Sequence, residues 1–588
     1  MKRLEKWYIR NKKGNVEKIS NKFNISKILA KLLINRDIID DDIIYKFLYP
    51  NIEYQYDEEL MSDFKIAINL IKVKISQNKK IRIIGDYDVD GITSVYILYD
   101  CLKKIGADVD YYIPHRINDG YGINKNIVLE AKAQGVDTII TCDNGISQLE
   151  ALEIAKNMDM TYIITDHHDI ASDKNNSDNT IFNLADAVIN PHKYSCKYPN
   201  KSICGAGIAY KIARNLQKIY NIPNYNTNYI EFVALATICD VVDIRGENRV
   251  FVAEGLNRLK NTANNGLKTL LVKVGLMDKK ISTYHIGFII GPILNASGRL
   301  ESALLALELF TTDEADKIDE ISEKLISLNQ ERKEMTETGA NSVFEIIENN
   351  YMDDKVLVVY EPNIHESIAG IVAGRVKEKY NKPTIILTKS KNSVKGSARS
   401  IDEYNIYNEL YKCKDILLNF GGHPMAAGLS LEKSYIEDLR HKLNSLSELT
   451  QEDIMNKIYI DMPLPLSTID ERLIKEIELL EPFGTGNPKP LFGAKNIDIL
   501  KLNVLGKNEN VLKFVAECNG KIYNNLILFQ KLDEFSNGLK LFYKDNTLEK
   551  ILLGKENSCK IDIIYYPELN VYNGIAQLQL IIKNYRFI

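Results

Sequence analysis

Residues 81–94 read IRIIGDYDVDGITS, and the interpretation of the whole chain turns on them. Ile81 to Ile84 is a β-branched apolar run of the kind that makes a strand buried on both faces. The run breaks at Gly85 into aspartates on alternate positions, Asp86, Asp88 and Asp90. Gly91 and the apolar residues behind it begin a helix. Three carboxylates at the end of a buried strand repel one another and raise one another's pKa unless a cation sits among them. Oxygen donors of this kind suit hard divalent ions such as Mg²⁺ or Mn²⁺. Asp and Gly are also ordinary turn residues, so this stretch by itself leaves a surface turn and a metal site equally open.

Two further stretches shift the balance. Asp137 to Cys142 (DTIITC) runs into Asp143-Asn144-Gly145, and Thr161 to Thr165 (TYIIT) runs into Asp166-His167-His168. Three strands of one type, each delivering Asp or His at its carboxyl end, fit the crevice where doubly wound sheets bind ligands. Helical patterns alternate with these strands up to Ala187–Asn190, which predicts a parallel sheet with helices on both faces. A later helix, Tyr229 to Cys239, ends at Asp240 in ATICDVVD. Ser302 to Asn349 is charged and helical, with Ile318, Ile321, Leu325 and Leu328 on one stripe, and is expected to connect two domains.

A second α/β domain starts near Lys355, with strands at Val356–Tyr360 and Thr384–Leu387 around a helix at His365–Tyr380. It carries KGSARS (395–400) and NFGGHPMAAG (419–428). The glycine pair of the latter lets backbone approach a ligand, and a helix start after it would suit a phosphate. From about Tyr459 onward, short alternating strands such as Val511–Ala516 and Ile561–Tyr566 suggest a small barrel. Met1 to Arg36 is rich in Lys and Arg and holds the only tryptophan, Trp7. With two short helices around Ser26–Asn35 and Asp40–Leu48, it reads as a helical cap on the first domain. A basic lip guiding a nucleic-acid strand is the alternative.

At 588 residues the chain needs several cores. Its 45% hydrophobic and 26% charged residues are those of an ordinary globular protein. No apolar run approaches membrane-spanning length, and the basic opening lacks a signal-peptide core. Eight scattered cysteines without a CxxC pair argue against disulfides and structural zinc, so a cytoplasmic location is expected. A net charge of −4 argues against non-specific duplex coating and leaves room for a local basic channel.

The triplet Asp166-His167-His168 resembles the signature of the DHH phosphoesterase superfamily. GGHPMAAG resembles its DHH-associated domain, and EPFGTGNPKPLF (481–492) is similar to a stretch of the RecJ family within it. The resemblance runs nearly end to end. It implies an α/β fold: a helical lead-in (1–57), a parallel-sheet DHH domain (58–300) and a long connecting helix (301–350). A second α/β DHH-associated domain (351–455) and a C-terminal OB-fold β-barrel (456–588) complete it. Asp88, Asp90, Asp143, His167 and Asp240 match the superfamily's metal ligands, and Asp86 ranks below them as a supporting carboxylate. Many superfamily members have a His where this chain has Ile84, which puts one of two metal sites in question.

The implied cofactor is Mn²⁺ or Mg²⁺, as two ions about 3.5–4 Å apart. His167 fits a ligand, and His168 a donor to phosphate oxygens or to the leaving group. Arg299 in NASGRL, with Ser397 and Arg399 in GSARS, lies in stretches that contact the 5′-terminal phosphate in the family. Arg116 in YIPHRINDGYG is expected to hold the next phosphates, and His423 to reach the scissile phosphate or a neighbour. The implied function is metal-dependent 5′-to-3′ exonuclease action on single-stranded DNA in recombination and repair. A monomer away from membranes is expected, with single-stranded DNA, a helicase and a single-strand-binding protein as partners. A phosphodiesterase for short oligonucleotides or cyclic dinucleotides is disfavoured by the long C-terminal β module. An inactive DNA-binding scaffold is disfavoured by the intact Asp and His set.

Overall fold

The computed structural model describes residues 5–170, 177–390, 393–506, 508–544, 546–572 and 575–588. Two compact units make up the chain, residues 51–455 and a second unit joining 1–50 to 456–588.

In the larger unit the decisive stretch forms the strand Ile81–Ile84, inside a five-stranded sheet. Its strands run in the order Val109–Tyr112, Ile81–Ile84, Thr138–Cys142, Thr161–Thr165 and Ala187–Ile189, all parallel. Successive side chains serve opposite faces. Ile83, Ile140 and Ile163 enter one apolar core with the helices Val89–Lys104 and Gly205–Ile219. Ile84, Ile139 and Ile164 enter another, under the helices Lys125–Ala133 and Leu149–Asn157. The chain leaves Ile81–Ile84 to one side and returns to its other side at Thr138–Cys142. The topological switch point therefore lies at the carboxyl ends of these two strands.

The connecting segment is two helices rather than one, Leu304–Thr311 and Ala315–Asn350, parted at residues 312–314. The long helix is shared by two cores. Ile318, Ile321 and Leu325 pack into the first, and Ala340, Val343 and Ile347 into the second domain. The second domain has a five-stranded mixed sheet ordered 419–423, 426–431, 394–399, 384–389, 357–360. NFGGHPMAAG, expected to lead into a helix, instead forms the hairpin Asn419–His423/Ala426–Leu431. Gly422, at φ 144°, leaves no room for a side chain, since a Cβ there would lie 2.4 Å from Ala426 O. The glycine's close approach is to its own hairpin partner.

In the smaller unit, Phe492–Leu505, Val511–Cys518, Lys521–Leu528, Ile575–Phe587 and Lys560–Tyr572 pair in that order. Phe492–Leu505 also pairs with Lys560–Tyr572, which closes a barrel. The opening of the chain belongs here, and not to the first α/β domain as a cap. Leu29, Leu32, Leu33 and Phe47 share one core with Phe492, Phe514 and Leu480. Arg36 is buried, donating to Asn487 Oδ1 at 2.9 Å and to Pro488 O at 2.7 Å. EPFGTGNPKPLF is thus the socket for an N-terminal arginine. Among the described residues no helix is long and apolar enough to cross a membrane.

Candidate metal centre and phosphate cavity

Each acidic residue at the switch point is placed by backbone. Asp88 caps the helix Val89–Lys104, its Oδ1 accepting from Asp90 N (3.0 Å) and Gly91 N (3.2 Å). Gly91 is required because a Cβ there would lie 2.4 Å from Asp86 O. Asn144 Nδ2 donates to Ile84 O (3.0 Å) and Cys142 O (2.9 Å), stapling the two strand ends together. Beside it Asp143 takes a left-handed φ of 62°. Its carboxylate leans over Gly205, where a Cβ would stand 2.7 Å from Asp143 Cβ. The helix Ile230–Cys239 ends at Asp240, and Val241 follows at φ 60°, a strained conformation for a β-branched residue.

The side chains converge into three groups with mutual spacing fit for a cation: Asp86, Asp88 and Asp143; Asp90, His167 and Asp240; and Asp143, His167 and His168. His167 Nε2 stands 3.0 Å from Asp143 Oδ1, 3.5 Å from Asp90 Oδ2 and 3.7 Å from Asp240 Oδ2. Asp86 Oδ1, Asp143 Oδ1 and His167 Nε2 are all buried without a hydrogen-bond partner among the described residues. Leaving such atoms unsatisfied is costly. Asp90 differs, since its oxygens accept from Gly205 N (2.7 Å) and Ala206 N (2.6 Å).

Charge follows from this crowding. Burial and then the neighbouring carboxylates push Asp143 and Asp86 well above the usual range, Asp90 up to about 7 and Asp240 up to about 9. Burial and the charge of His168 push His167 down to about 4, so its ring is neutral near pH 7 and has a lone pair to offer. Buried carboxylate oxygens of Asp86 and Asp143 and a nitrogen of the neutral His167 ring, without a hydrogen-bond partner among the described residues, are a donor set that fits Mn²⁺ or Mg²⁺.

His168 is set apart. Its Nδ1 lies 2.7 Å from Asp166 Oδ1, and that carboxylate also accepts from the backbone of Ile146, His167 and His168. Burial opposes charge on His168, but Asp166, Asp240 and Asp90 outweigh it and push the imidazole up to about 9. Tyr121 Oη stands 3.2 Å from His168 Nε2 and 3.3 Å from Asp143 O.

Tyr121 also lines a cavity of about 560 Å³ with Tyr87, Arg116, Ser367, Ser397 and Phe420, from both α/β domains. Arg299 Nη1 donates to Ser367 O at 2.9 Å, and Arg399 Nη1 to Ala398 O at 2.8 Å. Arg116 lies 4.7 Å from the Tyr87 ring centroid. Burial first, then the fields of Arg116, Arg332 and Arg399, push Arg299 down to about 10. Arg116, Arg299, Ser397 and Arg399, separated by up to 283 positions in sequence, are thus neighbours in space. His423 is not with them. It is exposed near the hairpin tip, outside the cavity lining.

Asp166, Tyr121, Asn144 and Arg332 escaped the sequence-based site list. Asp166 is the first letter of the signature triplet, and Tyr121 sits in the same YIPHRINDGYG stretch that supplied Arg116. Nothing local marks Arg332, which lies on the long connecting helix.

Comparison with known proteins places the three parts of the chain. The DHH family N-terminal domain matches residues 80–237, the DHHA1 domain 353–449 and the RecJ OB domain 460–584. The chain is 32% identical over 586 residues to the single-stranded-DNA-specific exonuclease RecJ of Bacillus subtilis strain 168, spanning 98% of this chain and 70% of that one. The crystal structure of RecJ with Mn²⁺ from Thermus thermophilus has the same fold, at TM-score 0.82 and 24% identity over 100% of this chain and 80% of that one. A structure of exonuclease RecJ bound to manganese matches at TM-score 0.57 and 28% identity, covering 67% of this chain and 98% of that one.

Proposed function

The chain belongs to the RecJ family of single-strand-specific exonucleases, and from that membership we propose that it degrades single-stranded DNA from the 5′ end using divalent cations. The observation that carries the reading is the set of donor atoms on Asp86, Asp143 and His167, buried and without a hydrogen-bond partner among the described residues, beside a cluster of crowded arginines. When bound, two Mn²⁺ or Mg²⁺ ions supply charge neutralisation and in-line activation for phosphodiester hydrolysis. Asp86, Asp88 and Asp143 would hold one, and Asp90, His167 and Asp240 the other. Asp86, with a free buried oxygen, is better disposed as a ligand than Asp90, whose oxygens also anchor the helix Gly205–Ile219. The first group contains carboxylates only, Ile84 being turned into an apolar core.

His168 holds a proton at neutral pH and offers it to the scissile phosphate or the leaving oxygen, while Asp166 fixes its ring. Arg116, Arg299, Arg399 and Ser397 grip the terminal 5′-phosphate, the guanidiniums through charge-assisted hydrogen bonds. Both clusters lie within residues 51–455, so one copy of the chain carries the whole site. The closed barrel favours long strands over the alternative of short oligonucleotides or cyclic dinucleotides. The setting is recombination and repair in the cytoplasm, with a helicase opening strands and a single-strand-binding protein covering them. Eight free cysteines agree with a reducing compartment.

The test is digestion of single-stranded DNA labelled at either end, with and without Mn²⁺. Mn²⁺-dependent release of the 5′ label ahead of the 3′ label supports the reading. Metal-independent or 3′-first release contradicts it.

A further inference from the structure

The function proposed above uses one end of the helical segment 283–300 and leaves the other end idle. Gly291–Leu300 carries Arg299 near its end. One turn earlier, Asn295 Oδ1 accepts from Val89 N at 3.1 Å, beside Asp88. The segment is pressed against two walls of the metal centre. A Cβ on Gly298 would lie 2.4 Å from Tyr87 O, and one on Gly291 2.4 Å from Cys239 Sγ, next to Asp240. Ile286, Ile290, Ile293 and Leu294 anchor it in the core.

The idle end carries an exposed aromatic pair. Tyr284 and Phe288 are 61% and 68% exposed, and their rings stack with centroids 5.0 Å apart and planes inclined by 25°. Here the helix widens into a π-turn, Ile286–Ile290, a rare feature that recurs at functional sites. Positions 284, 288, 295 and 299, spaced by four, seven and four, fall near one stripe of the segment. Phe288 lies eleven positions before Arg299, roughly 16 Å along the axis at about 1.5 Å per residue. No acidic residue occurs between Asp278 and Glu301. The stripe thus runs from the arginine cluster, past Asp88, to two open rings.

We infer that Tyr284 and Phe288 stack bases of the substrate strand a few nucleotides to the 3′ side of the scissile linkage. The order along the stripe gives the direction: the terminal phosphate at Arg299, the cleaved linkage at the metal centre, then the rings. Stacking suits this place, because the strand must advance after each cut and every base has a π-face. A duplex hides its bases and would leave the rings idle. Packing alone would have turned the rings inward, as it turns Ile286 and Ile290. The inference rests on the exonuclease reading. It adds a subsite within the catalytic unit that sets how long a strand must be to be held well.

The experiment uses the full chain with saturating Mn²⁺ and follows initial release of a 5′ label from oligo(dT) as strand concentration is varied. Tyr284→Ala/Phe288→Ala should raise KM by roughly tenfold, the scale of a lost base stack. It should leave kcat and Mn²⁺ affinity as in wild type. Tyr284→Phe/Phe288→Tyr, which keeps both rings, should match wild type. Strands carrying a short run of abasic sites, moved stepwise from the 5′ end, locate the contact. In wild type KM should rise when the run reaches the rings, and the alanine pair should not respond to that position.

If the alanine pair destabilises the helix, Phe288→Ala alone carries the same comparison. A wild-type KM in the alanine variant would overturn the subsite while normal wild-type cleavage leaves the exonuclease reading standing. An abasic run that affects both proteins equally would also overturn it, by placing the stacking elsewhere. So would a parallel fall in Mn²⁺ affinity, which would make the rings part of the scaffold. Failure of the wild type to release the 5′ label with Mn²⁺ would remove the exonuclease reading, and the subsite with it.

Discussion

Two clusters in the larger unit bury charge of a single sign, one acidic and one basic, and a third site buries both signs. Lys211 and Glu247 are completely enclosed, 2.7 Å apart, and Lys211 also donates to Tyr56 O. That pair is satisfied within the protein and serves as scaffold. At the strand ends, by contrast, carboxylates face carboxylates and their pKa values rise. Beside the cavity, guanidiniums crowd guanidiniums, and Arg299 falls to about 10. Buried like charges cost stability unless something of opposite sign arrives. On the function proposed above, the two clusters are complementary halves of one site, the first for cations and the second for a phosphate.

The acidic half can be broken most severely. Asp143→Asn or His167→Ala should reduce Mn²⁺-dependent cleavage by more than the roughly 10–100-fold that losing a ligand's hydrogen-bond partner costs a metal site. Calorimetric titration should show Mn²⁺ binding lost in parallel. Near-normal turnover in metal-defined buffer would remove these residues from the mechanism.

Asp166→Asn sharpens the same half, because it leaves the converging donor atoms in place and withdraws the support of His168. A loss of about 10–100-fold is expected. The alkaline limb of the pH–rate profile should move to lower pH, since Asp166 is what holds His168 up near 9. An unshifted limb would take His168 out of proton transfer.

The smallest effect is on stability without metal. Asp90 and Asp240 have folded-state pKa values raised to about 7 and about 9, against an ordinary value near 3.9. Raised carboxylates stabilise the fold fully below their unfolded pKa and lose that contribution as pH rises through the folded value. His167, pushed down to about 4, loses its own contribution on the acid side, so the informative window is pH about 6.5 to 9. In chelator the melting temperature should fall across this window by a few degrees, and Mn²⁺ should restore it. A flat profile in chelator would mean that the carboxylates are not crowded in solution.

The acidic half was legible in the sequence because strand, turn and helix start are local patterns, and each ligand candidate closes one of them. Asp240 needed the resemblance, as a helix end by itself says nothing about what it faces. The basic half was legible only by resemblance. Arg116, Arg299 and Arg399 come from three separate segments, and periodicity carries no information on their meeting. The helices at Lys27–Asn35 and Asp41–Leu48 were found, and their partner was not. An amphipathic pattern reveals that a face is buried, but the partner core is contributed by residues more than 400 positions away. Glycines 421 and 422 announced a close approach without saying that it was to a neighbouring strand.

The most direct test of complementarity is the ratio of cleavage rates on 5′-phosphorylated and 5′-hydroxyl strands, in wild type and in Arg399→Ala, with Mn²⁺ affinity measured alongside. Charged hydrogen bonds are worth roughly 1.5–3 kcal/mol each. The ratio should therefore fall by on the order of tenfold or more in the variant, while Mn²⁺ binds as in wild type. An unchanged ratio would contradict the account and place recognition of the strand end outside the arginine cluster.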